Sequence, residues 1–137
     1  MTTIALLAAA FTLLPVAQGK ATRYNPGIMD RVVANRIRWK HIDPSIPHAG
    51  YIALADPCHL GELAWIQWPD GQLTGPYMVA DCGAKQDQDH LKEIRFAVDL
   101  SWELAQEFDV IDKPLYGITV YIQRTRGPKH APERTPK

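Results

Sequence analysis

Tyr77 to Phe108, YMVADCGAKQDQDHLKEIRFAVDLSWELAQEF, decides how the chain is read, because it sets two aspartates against apolar runs. Asp81 closes the strand-like Tyr77-Met78-Val79-Ala80, and Asp99 follows Phe96-Ala97-Val98 where a helix-like segment opens. A carboxylate at the end of an apolar strand is costly to bury unless it is hydrogen-bonded or its pKa rises, and a raised pKa is what a general acid uses. An ordinary structural reading stands beside this one. Asp99 or Ser101 would cap the helix ahead of Leu100, Leu104 and Phe108 at four-residue spacing, and Asp81 would open the polar loop after a strand.

Outward from that stretch the pattern is mostly strands and turns. Between Gly83 and Glu93 the polar AKQDQDHLK reads as a solvated loop carrying His90, of the kind that forms the lip of a binding site. Ser101 to Phe108 is the one helix expected, and Tyr116 to Ile122 is a closing strand, with Ile118, Val120 and Ile122 in alternation. Upstream, Tyr51 to Ala55 and Glu62 to Trp68 read as strands, and Pro69-Asp70-Gly71 turns the chain into a return strand, Gly75 to Asp81. Trp65 and Trp68 point to opposite faces of their strand. One packs in the core and the other offers a surface for a sugar ring, or both are core. Lys20 to Tyr24 is a first strand stopped by Asn25-Pro26-Gly27; Arg31 to Arg38 is strand-like and β-branched; Trp39 to Gly50 is a loop.

At 137 residues the chain supports one core and so one domain, and its 46% hydrophobic and 22% charged composition is that of a globular protein. Residues 4–17 form an apolar run of signal-peptide length, with small residues at Ala17 and Gly19 for a peptidase, so residues 1–19 are expected to be a signal peptide and the protein secreted, with no stable membrane span after processing. Residues 123–137, basic and proline-containing, are expected to be a disordered tail. Formal net charge is zero, and the tail's surplus of positive charge leaves the body acidic, which argues against a nucleic-acid partner. His41, His48 and His59 fall at no recognisable metal spacing, so neither a metal nor another cofactor is expected. With an export signal, Cys58 and Cys82 suggest one disulfide.

KATRYNPG near the expected mature start, IALADPCHLGELAWIQWPDG, YMVADCGA, AVDLSWELA and the closing GITVYI together resemble a small double-psi β-barrel of the rare-lipoprotein-A, expansin and barwin kind. The resemblance covers roughly residues 20–122, and its weight lies in the order of the pieces: a first strand with a Tyr-containing turn, a Gly-led hairpin ending in an Asp, and Asp-Leu-Ser before a final strand. It implies a mainly β fold, a single six-stranded double-psi β-barrel with one short helix, acting outside the cytoplasm as a monomer on cell-wall polysaccharide such as peptidoglycan.

By the same resemblance, Asp99 is the principal acid of a lytic-transglycosylase-like cleavage and Asp81 its partner, with Thr22 and Tyr24 lining the groove. Asp56 supplies a third aspartate, as in wall-active barrels that carry three. The alternative implied is a non-catalytic expansin- or barwin-like module that binds or loosens polysaccharide, with Trp65 or Trp68, Tyr24 and Tyr77 as stacking surfaces. The chain departs from the rare-lipoprotein-A pattern in reading Ala55-Asp56-Pro57-Cys58 where that group carries a histidine, which here comes later as His59.

Overall fold

The computed structural model describes residues 11–125. Six strands, β1 (Phe11–Arg23), β2 (Tyr51–Leu54), β3 (Leu63–Gln67), β4 (Leu73–Cys82), β5 (Phe96–Leu100) and β6 (Leu115–Thr125), close into a barrel in the order β1-β5-β2-β4-β3-β6. The β1–β5 and β2–β4 pairs are parallel and the rest antiparallel, so the barrel is mixed. Three short helices accompany it: α1 (Ile28–Arg38), α2 (Gln88–Glu93) and α3 (Trp102–Glu107).

Period-two alternation builds the interior. Ile52 and Leu54, Ala64 and Ile66, Val98 and Leu100, and Ile118, Val120 and Ile122 are all buried in one cluster, each pair separated by a residue facing the other way. Trp68 joins that core, stacked on Phe108 at 4.2 Å between ring centroids. A second cluster lies outside the wall, where Met29, Ile42, Ala53, Met78 and Ala80 pack with Val32 and Val33 of α1. The hairpin between β3 and β4 forms as its Asp-Gly predicts: Asp70 accepts the Gln72 amide at 2.9 Å, and Gly71 takes φ 91°.

Three expectations need correction. Arg31 to Arg38 lies in helix α1, not in a strand. Its β-branched Val32, Val33 and Ile37 suggested extension, but Met29, Val32, Val33 and Arg36 recur at helical spacing, and tertiary packing of that face decides the outcome. Lys85–Asp87 and α2 replace the expected loop, and with α1 this makes three short helices among the described residues where one was expected. The barrel also begins earlier than residue 20 and ends later than residue 122.

That last correction comes from pairing. Phe11 to Gly19, the latter part of the expected signal peptide, runs antiparallel to β6, from Phe11 opposite Thr125 to Gly19 opposite Ile118. Ala17-Gln18-Gly19, the expected peptidase site, therefore lies within β1. Gly19 is required there, because at φ 146° a side-chain carbon would run into the Arg95 carbonyl where β1 crosses β5. Of the expected tail, Gln123 to Thr125 belong to β6, while residues 126–137 and residues 1–10 lie outside the described residues.

Candidate active site

Strand register assembles the site. Thr22 of β1 pairs with Asp99 of β5, Asp99 pairs with Ala53 of β2, and Ala53 pairs with Asp81 of β4, so four neighbouring strands carry one row across the barrel surface. Asp99 sits between the buried Val98 and Leu100, which turns its side chain to the outer face. Ala53, between the two aspartates in this row, is itself buried and packs in the second cluster, against which Tyr24 lies.

Asp99 does not cap the helix. Ser101 does, its Oγ accepting the Leu104 amide at 3.3 Å, and so Asp99 is left for other work. The Thr22 hydroxyl donates to Asp99 Oδ1 at 2.9 Å. Burial pushes the Asp99 carboxyl up to about 6; the Thr22 hydrogen bond opposes the rise, the Asp81 charge adds to it, and Arg23 opposes it. Burial thus leads, and the negative charge of Asp81 is a secondary cause.

Asp81 is not a loop-opening residue either. It lies inside β4, one residue before its end, with both oxygens engaged: Arg36 of α1 forms an ion pair with Oδ1 at 2.9 Å, and Tyr24 donates to Oδ2 at 2.6 Å. Arg36 is itself fixed by the Ala80 carbonyl at 3.1 Å and by His41 Nδ1 at 2.9 Å. Burial, the hydrogen bond to Asp81 and the nearby negative charge hold the Tyr24 phenol far above its ordinary pKa, so it stays a neutral donor.

A cleft of about 330 Å³ adjoins the row at Ala53 and Asp99, and Tyr24, Cys82, Asp87, His90 and Phe96 also line it. His90 comes from α2, so the polar segment does form a lip, as a helix. Gln88 anchors that helix by donating to the carbonyls of Ala55 at 2.9 Å and Gly83 at 3.2 Å. Leu54, Leu91 and Phe96 also line a neighbouring cleft of about 400 Å³, which holds Asp56, His59, Lys92 and Arg95.

Thr22, Tyr24, Asp81 and Asp99 are therefore brought together, and the other expected site residues are not. Asp56 lines the neighbouring cleft. Trp68 and Tyr77 are buried, their polar atoms both bonded to Thr74 Oγ1, and neither presents a face to a sugar. Trp65 is tied to Gln123 at 2.8 Å and stacked on Phe11, on the wall formed by β3, β6 and β1. The expected disulfide is absent: Cys58 and Cys82 are free thiols. Cys58 sits on an exposed 3-10 turn, Pro57–His59, facing Asp56, whereas Cys82 opens onto the Asp99 cleft. Sequence reading missed Arg36 as a site residue, and the helical recurrence of Met29, Val32 and Arg36 was the available signal.

Protein-family models, curated proteins and solved structures were compared with the chain, and none matches it. The functional reading therefore rests on the geometry of the Asp99 row. Among the described residues no helix is long and apolar enough to cross a membrane.

Two consequences are measurable. A carboxyl whose folded pKa lies above its unfolded value binds more protons when native, so folding stability is lost as pH rises from 3.8 through about 6 and stays lower above that. Replacing Asp99 by Asn removes the penalty, so urea unfolding should show the variant gaining on the order of 2 kcal/mol more at pH 7.5 than at pH 3.5. An equal effect at both pH values would mean the carboxyl is not perturbed. For Arg36→Leu, Asp81 loses its counter-charge; stability should fall by roughly 1–3 kcal/mol, and the Asp99 titration, followed by carboxyl NMR, should move upward. An unmoved titration would separate Arg36 from the site.

Proposed function

We propose that this chain is a double-psi β-barrel protein of the rare-lipoprotein-A, expansin and barwin kind that engages cell-wall polysaccharide, and that Asp99 is the acid of a lytic-transglycosylase-like cleavage. The observation that carries the reading is a single carboxyl, buried enough to titrate at about 6, held by Thr22 at the edge of an open cleft. At mildly acidic pH such a group is protonated yet still acidic enough to give its proton away. The mixed six-stranded barrel is compatible with the fold assignment.

In the proposed step Asp99 passes its proton to the glycosidic oxygen as the bond from that oxygen to the anomeric carbon breaks. A hydroxyl of the same sugar attacks the anomeric carbon, closes an anhydro ring, and returns its proton to Asp99. Asp81 takes no proton in this scheme, because Arg36 and Tyr24 occupy both of its oxygens. Its part is to fix Tyr24 at the cleft wall and to add negative charge near Asp99. That arrangement favours a single-acid mechanism over hydrolysis by two working carboxylates with a water between them. Tyr24, Phe96 and His90 give the cleft flat faces on which a pyranose ring can rest.

The same engagement of Asp81 supports a second reading, a module that binds glycan without cutting it. Mass spectrometry of soluble products after the full chain is incubated with peptidoglycan, cellulose and chitin separates the two. Anhydro-ended fragments support cleavage, ordinary reducing ends would replace it with hydrolysis, and co-sedimentation without product would leave the binding module. Neither product nor binding would remove the polysaccharide reading.

A further inference from the structure

We propose that Asp56, Cys58 and His59 form a binding site for a transition-metal dication of the zinc class, independent of the glycan reading. A carboxylate oxygen, a thiol sulfur and an imidazole nitrogen from these three residues all lie within 4.8 Å of one another. Local sequence produces the cluster. Pro57 starts a tight 3-10 turn, and the Asp56 carboxylate caps it by accepting the Cys58 amide at 3.0 Å, which folds Cys58 and His59 back toward Asp56.

The second observation is the orientation of His59. Its ring is buried, with Nδ1 against Glu62 Oε1 at 3.0 Å, and Glu62 is held in turn by Arg124 at 2.9 Å. A carboxylate on one ring nitrogen is how metal-binding histidines are usually fixed, and it leaves Nε2 as the nitrogen for the metal. His59 is thus set before any ion arrives.

The donor set selects the ion. Sulfur disfavours magnesium and calcium, while oxygen, nitrogen and sulfur together suit zinc. In a tetrahedral zinc site with bonds of about 2.0–2.3 Å the ligand atoms stand roughly 3.3–3.8 Å apart, so these three need to close by about 1 Å. The turn is exposed at Asp56 and Cys58, which lets those two move while His59 stays. Three protein ligands leave a fourth position, and Asp56 and His59 both line the 400 Å³ cleft, where a water or a small anionic ligand would sit near Lys92 and Arg95. Sequence reading missed the cluster because the three histidines have no metal spacing and Cys58 was assigned to a disulfide that does not form.

Cobalt(II), added to the reduced full-length chain without oxygen, is the probe. The expected result is one equivalent bound with a thiolate-to-cobalt charge-transfer band, displaced by zinc. That band should vanish in Cys58→Ser and persist in Cys82→Ser, and Glu62→Gln should weaken cobalt binding about 10–100-fold with an unchanged far-UV spectrum. A band retained in Cys58→Ser, a band lost in Cys82→Ser, or no cobalt bound overturns the proposal.

Discussion

Asp99→Asn is expected to cut the release of soluble glycan fragments by about 10²–10⁴-fold while the protein stays folded and still sediments with the polymer. Asparagine preserves the shape of the side chain and the oxygen that accepts from Thr22, and it removes only the transferable proton. Fold and acid are thereby separated. Activity of the unmutated chain should decline as pH rises through about 6, because the acid form of Asp99 is depleted there. A pH profile that is flat across that range, or an Asn variant that still produces anhydro ends, would remove Asp99 from the chemistry. The stability gain expected of the same variant above pH 6 makes the outcome easier to interpret, since lost activity would then accompany a firmer fold.

A chain starting at Lys20 is expected to lose on the order of 3–5 kcal/mol, a large part of what holds a domain of this size together. Without residues 1–19, β1 keeps its parallel pairing with β5 from Lys20 to Arg23 but meets β6 only through Ala21 and Leu115. The barrel opens along that seam. β6 becomes an edge strand presenting unpaired amides and carbonyls from Ile118 to Thr125, and the buried Ile118, Val120 and Ile122 lose part of their cover. Thermal unfolding by circular dichroism and size-exclusion chromatography should show a lower midpoint and self-association. A fragment as stable and monomeric as the full chain would mean that the first half of β1 contributes little to closure.

Where sequence reasoning succeeded, a local pattern and the tertiary outcome agreed. The β3–β4 hairpin follows from Asp70-Gly71 between strand-like runs, helix α3 from Ser101 ahead of apolar residues at four-residue spacing, and β6 from the alternation of Ile118, Val120 and Ile122. Where it failed, the local pattern was open to two readings. Val32, Val33 and Ile37 suit a strand, yet Met29 and Val32 find a buried partner only if the segment coils against Met78 and Ala80. The apolar run before Lys20 suits an exported leader as well as a strand in a closed wall, and nothing in its composition separates the two. Trp68 and Tyr77 have the composition of a sugar platform, and their burial depends on which face of the hairpin turns inward.

The sequence by itself determined the class of fold and the two aspartates, because hydrophobic period and charge placement act over a few residues and leave their mark on the chain. Tertiary structure alone decided what those aspartates are. Register across four strands set Thr22, Asp99, Ala53 and Asp81 in one row; burial raised the Asp99 carboxyl; and Arg36, brought from a helix far along the chain, paired with Asp81 and gave it a counter-charge. A carboxyl's acidity depends on the dielectric and the charges within a few ångströms of it, and only the folded chain fixes which groups those are.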